Sequence, residues 1–129
     1  MLDLFINICR AENDFYMENL NNIEIAVLQA IISENQEKYQ FLNLHFPYLV
    51  VKSRKYTGVG MYSNFEYSKE FVQSNVNVLL TSLKELTVDN LENELSYVLD
   101  ITSGKIQFLE IVTNGNDTFQ GEIINFKLA

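Results

Sequence analysis

Cysteine, histidine and proline each occur once in this chain of 129 residues, and glycine five times. Each shortage closes a class of explanation. The single cysteine, Cys9, rules out a disulfide within the chain. Together with His45 it falls short of the four Cys or His ligands that a structural zinc site needs. Cys9 ends the apolar run Leu2 to Cys9, where a buried and inert thiol is expected, because apolar surroundings raise a thiol pKa. That run does not read as a signal peptide: Asp3 stands where a positive segment belongs, and no small-residue cleavage site follows. No export signal and one free thiol together predict a reducing, cytoplasmic setting.

Long apolar runs and positive charge are also scarce. No stretch approaches the roughly 18 uninterrupted apolar residues of a membrane helix, so no membrane partner is expected. Nine Lys and Arg stand against 17 Asp and Glu, a net charge of −8. That balance argues against nucleic acid, whose binding rests on cationic side chains at phosphates. It favours a basic protein partner instead, since an acidic surface steers such a partner inward.

The familiar cofactor loops are missing as well. Gly104-Lys105 lacks the glycine five positions upstream that a phosphate loop requires, and Leu99 stands there. Gly58-Val59-Gly60 opens a dinucleotide fingerprint, but Ser63 takes the place of its third glycine. A calcium loop counted from Asn114 fails at its sixth position, Phe119. No cofactor and no metal are expected, and the balance leans against an enzyme. His45, flanked by Leu44 and Phe46 just before Pro47, reads as a capping or half-buried structural residue rather than a catalytic one.

What remains is 47% apolar residues in a length suited to a single domain over 1–129. Leu20, Ile23, Val27, Ala30 and Ile31 predict a helix over about 20–36. Ile25, Leu28 and Ile32 widen its apolar stripe past half the circumference. Glu24, Gln29 and Ser33 are left as a narrow polar edge. A helix this apolar is expected to be covered on more than one side, or to form a homodimer contact. Asn19, Asn21 and Asn22 are candidate N-caps. A second helix over about 36–46 should stop at Pro47, because the residue before a proline disfavours helical geometry.

Past Pro47 the period changes from 3.6 to 2. Residues 48–56 and 59–67 read as a hairpin through Thr57-Gly58, with Val59, Met61, Phe65 and Tyr67 on one face and Ser63 between them. Gly60 within the second strand predicts a bulge or a close backbone approach. Residues 68–83 read as a loop with a short extended piece, and Leu86-Thr87-Val88 as a short strand. A second hairpin, 95–101 and 105–113, turns at Ser103-Gly104. Residues 123–128 close the sheet as an edge strand or pack as a tail. Helices first and antiparallel hairpins after them predict an α+β fold, with N-terminal helices on a curved, mainly antiparallel sheet. Gly58, Gly60 and Gly104 are its structural turn positions.

Glu110 draws attention because the alternation places it with Ile106, Phe108 and Val112. A carboxylate among apolar neighbours is paired, protonated or at the rim. Arg54 is a candidate partner. The pair reads either as a structural ion pair or as the heart of a pocket in a small enzyme or ligand-binding protein. Tyr56 and Tyr62, with Tyr48, Tyr67 and Phe65, form either a binding platform or the cover of a helix–sheet core.

Two segments carry a resemblance: Arg54-Lys55-Tyr56-Thr57-Gly58-Val59-Gly60-Met61-Tyr62, and Gly104-Lys105-Ile106 leading to Leu109-Glu110. The chain resembles small, uncharacterised bacterial α+β proteins with an Arg…Thr-Gly-Val-Gly hairpin and a later Leu-Glu strand. Some of these look like immunity-type proteins that neutralise a partner toxin. The resemblance touches about half of the chain and implies a non-catalytic protein-binding module. It brings no catalytic residues and singles out Arg54, Gly58, Gly60 and Glu110. It departs where a proline would follow the acidic turn, since Phe119-Gln120-Gly121 stands there.

Overall fold

A computed structural model of the protein describes residues 19–119 and 125–129. Cys9 and its apolar run, and the start of the predicted 123–128 segment, lie outside the described residues. The fold is α+β, with one principal helix, a five-stranded antiparallel sheet and a separate two-stranded sheet.

Helix α1 runs Asn22–Glu34, inside the predicted range. Its start is set by a reciprocal cap. The Glu24 N–H donates to Asn21 Oδ1 at 2.9 Å, and the Asn21 N–H donates to Glu24 Oε1 at 2.8 Å. Such a box satisfies two of the free backbone donors at a helix start. At the other end the Asn35 side chain donates to the Ile31 carbonyl at 2.7 Å and to the Thr81 carbonyl at 3.1 Å, tying the helix exit to the loop at Thr81. Ile23, Val27, Leu28, Ile31 and Ile32 are all buried in one core cluster with the sheet. Ile25, on the widened part of the stripe, is only half-buried.

The predicted second helix is broken in two, α2 at Gln36–Tyr39 and α3 at Leu42–His45, followed by a 3₁₀ turn at Phe46–Tyr48 that contains Pro47. The Asn43 and Leu44 N–H groups reach back three residues, to the carbonyls of Gln40 and Phe41. This tighter spacing interrupts the α-helical ladder.

The main sheet has the strand order β1 (Leu49–Tyr56), β2 (Gly60–Tyr67), β6 (Lys105–Val112), β5 (Ser96–Thr102), β3 (Val78–Leu80), antiparallel throughout. Register separates two faces, because directly opposed residues point to the same side. One row across the sheet is Arg54, Ser63, Leu109, Leu99 and Leu80. Its last four members are buried, so this is the face under α1. The neighbouring row, Lys55, Tyr62, Glu110 and Val98, lies on the opposite, outer face.

Of the two alternatives at Gly60, the structure has the close approach: a Cβ there would collide with the Ile111 carbonyl oxygen on the adjacent strand. Ser103 and Gly104, with φ of 53° and 75°, form the tight turn between β5 and β6. The residues from Phe126 to Leu128 form β7, but β7 does not join the main sheet. It pairs with β4 (Leu86–Val88) to make the small second sheet, with Leu86 opposite Leu128. Among the described residues no helix is long and apolar enough to cross a membrane.

Candidate functional site

Arg54 does not meet Glu110. The two residues stand on opposite faces of the sheet, so no pocket is shared between them. The partner of Arg54 is Glu24, thirty residues earlier on α1. Arg54 Nε donates to Glu24 Oε2 at 2.9 Å and Nη2 donates to Oε1 at 2.8 Å, the bidentate form. Ser63 Oγ adds a third side-chain donor to Oε2 at 2.6 Å, and the Asn21 N–H completes the set at Oε1. Four donors thus meet a carboxylate with about four lone-pair sites. Arg54 Nη2 also donates to the Asn19 carbonyl at 2.9 Å.

Glu24, assigned from sequence to the polar edge of its helix, is fully buried. The cause is its double duty, as the cap residue of α1 and as the counter-charge to an inward-facing arginine. A signal for it was present: Asn21 and Glu24 have the spacing of a capping box, and Arg54 shares strand parity with an apolar face.

Glu110 is exposed on the outer face. Sequence alternation grouped it with Ile106, but a register shift between Asp100 and Ile101 leaves Gln107 as the extra residue and turns Ile106 into the core. Phe108 and Val112 stay on the side of Glu110, half-buried. Tyr62 lies directly opposite Glu110 and stacks on Phe108, with ring centroids 4.5 Å apart and planes 21° from parallel. Burial raises the Tyr62 phenol pKa, and the nearby carboxylates of Glu110 and Asp100 push it the same way. The outer face therefore carries an aromatic stack with two carboxylates beside it. Lys55 stands on the far side of Tyr62, and Leu79, 61% exposed, extends the apolar surface next to Asp100.

Tyr56 ends β1 on the α1 side, where its ring stacks on Phe119 at 6.0 Å. It lies in a different place from Tyr62, and the two make no common platform. Gly58, at φ 85°, sits in the turn between them.

His45 is buried among rings. Phe71 lies 4.2 Å from it centroid to centroid, Tyr67 5.3 Å and Phe41 5.5 Å. Its Nδ1 is 2.8 Å from the Tyr67 hydroxyl, which also accepts the Ile106 N–H at 2.8 Å. The arrangement that uses every proton has Tyr67 donating to Nδ1, which puts the ring proton on Nε2. Burial, then the Lys105 charge, hold the His45 pKa below its ordinary value. Burial pushes Tyr67 up to about 12. Histidine and tyrosine are thus both neutral near pH 7. No serine or threonine hydroxyl among the described residues is hydrogen-bonded to this imidazole.

At the opposite end of the sheet, Glu94 and Glu85 lie close enough that Glu85 raises the Glu94 pKa. Asp117 nearby accepts the backbone N–H groups of Glu92 and Asn93. A hollow of about 320 Å³ between the start of α1 and the 3₁₀ turn is lined by Leu20, Ile25, Phe46, Pro47 and Leu49, with Asn19 at its edge. No charged side chain stands among those described residues. No group of three or more His, Cys, Asp or Glu among the described residues is placed to hold a metal ion.

Comparison with protein-family models, with curated proteins and with solved structures found no match to this chain.

Proposed function

We propose that this chain is a non-catalytic protein-binding module of the immunity-protein kind, and that it binds a basic partner through the outer face of its sheet. The observation that carries this reading is the Tyr62–Phe108 stack beside Glu110 and Asp100. Aromatic anchors dominate the energetics of protein interfaces, and arginine stacks on aromatic rings while pairing with carboxylates. A ring stack with two adjacent carboxylates suits an incoming arginine or lysine on both counts. The net charge of −8 would add long-range attraction to a cationic partner. The buried Glu24–Arg54–Ser63 cluster supports a structural role for the remaining conspicuous charge, since its hydrogen bonds are spent within the fold.

The test is affinity capture from the cells that make the protein, at low salt, with Tyr62→Ala and Glu110→Lys chains run in parallel. The expected result is one stoichiometric partner of high pI, lost with either substitution and released by added salt. A partner retained equally by both variants, or none at low salt, defeats the proposal.

A further inference from the structure

The end of the sheet where β2 finishes and β6 begins holds a cleft of about 270 Å³, lined by Tyr67, Lys69, Lys105, Gln107, Glu66 and Glu70 among others. Among the described residues, Lys69 and Lys105 make no ion pair. Each ammonium is instead held over aromatic rings. Lys69 Nζ lies 5.1 Å from the Tyr48 centroid and 5.7 Å from that of Phe71, and Lys105 Nζ lies 5.7 Å from that of Tyr67. Rings position an ammonium without neutralising it. Of the two carboxylates at the cleft, Glu66 is engaged by Lys52 at 3.3 Å. Glu70, exposed at the rim, is the remaining negative charge.

We propose that this cleft binds a small ligand carrying an oxyanion on an aromatic ring, with Lys69 and Lys105 as its counter-charges and the Tyr67 ring as its wall. Lys69 and Lys105 both line this hollow, and an oxyanion bound there would be attracted by both positive charges. The Tyr67 wall is fixed in advance, because its hydroxyl is held by both His45 and the Ile106 N–H. The cleft volume lies just under the usual range of ligand pockets, which sets the ligand at about one ring in size. This site is on a different part of the sheet from the Tyr62 face and does not depend on it.

The experiment follows the imidazole and amide NMR signals of the full chain during titration with phenyl phosphate, with inorganic phosphate and phenol as controls. The single histidine gives one unambiguous imidazole reporter. Phenyl phosphate is expected to shift His45 and the amides of Ile106 and Gln107 saturably, and phosphate or phenol alone to act far more weakly. Lys69→Gln and Lys105→Gln should each weaken binding by about tenfold, in line with the loss of one charge-assisted contact. Glu70→Gln should tighten it. No saturable shift overturns the proposal. So does an equal response to inorganic phosphate, or undiminished affinity in a Lys69→Gln, Lys105→Gln double variant whose other amide signals are unmoved.

Discussion

Glu24 and Arg54 are joined by two hydrogen bonds, 2.8 and 2.9 Å long, that fasten the first turn of α1 to the edge strand of the main sheet. Their burial is unequal. The Glu24 side chain is wholly enclosed, whereas that of Arg54 is 15% exposed. Removing the arginine therefore strands a buried negative charge, and removing both charges does not.

This asymmetry predicts a strongly non-additive cycle. Arg54→Met should cost about 3–5 kcal/mol, the range for breaking one side of a buried pair. Glu24→Gln should cost less, because it leaves the more exposed partner uncompensated and keeps acceptor capacity for Ser63. The double change Glu24→Gln with Arg54→Met should cost far less than the two single losses together, because it leaves no buried charge without its counter-charge. Urea denaturation of the four chains measures each value. Additive losses would show that the two charges act independently.

His45 predicts an acid limb of instability. Its folded pKa lies below the ordinary 6.5, first through burial and then through Lys105. A depressed value means that the unfolded chain binds the proton more readily. The contribution is complete above pH 6.5 and is lost as pH falls through the folded value. The urea midpoint should begin to drop below pH 6.5, before the carboxylates titrate. His45→Gln keeps an acceptor for the Tyr67 hydroxyl and cannot take up charge, so its midpoint should stay level over that window. A parallel decline in both chains would place the titrating group elsewhere.

Tyr67 predicts the matching alkaline limb. Burial raises its pKa to about 12 from an ordinary 10. The protonated form is favoured by folding, so stability is complete below pH 10 and is lost as pH rises through 12. Tyrosinate absorbance should show a late-titrating phenol that disappears in Tyr67→Phe. If that variant leaves the end of the titration unchanged, another of the seven tyrosines is the late one.

Much of this architecture was legible in the chain, for identifiable reasons. Period-2 alternation depends on local pleating, so both hairpins and their turns at Thr57-Gly58 and Ser103-Gly104 could be read directly. The Arg54–Glu24 contact could not, because it joins residues thirty positions apart and nothing local reports the pairing. Glu110 was misplaced by a single extra residue. Alternation assumes an unbroken pleat, and the bulge at Gln107 reversed the side on which Ile106 falls while leaving Phe108 in step. The pairing of β7 with β4 was likewise beyond a local pattern, since a three-residue apolar strand carries no record of its neighbour.

Gly60 offers a final test of the register itself. Opposed to Val112 on β6, it leaves no room for a side chain, and a Cβ would strike the Ile111 carbonyl oxygen. The obstacle is backbone within the central pairing of the sheet, which cannot rotate aside as a side chain can. Gly60→Ala must therefore push β2 and β6 apart or shift their register, at a cost on the order of 2 kcal/mol or more, as for other overpacked core positions. The same strain reaches the outer face two residues later, where Tyr62 meets Phe108 and Glu110. Amide exchange should accelerate at Tyr62 and Glu110 in Gly60→Ala while α1 stays protected. Uniform acceleration across the chain would instead indicate global destabilisation, and unchanged exchange would show that the strands are farther apart than the 60–112 pairing requires.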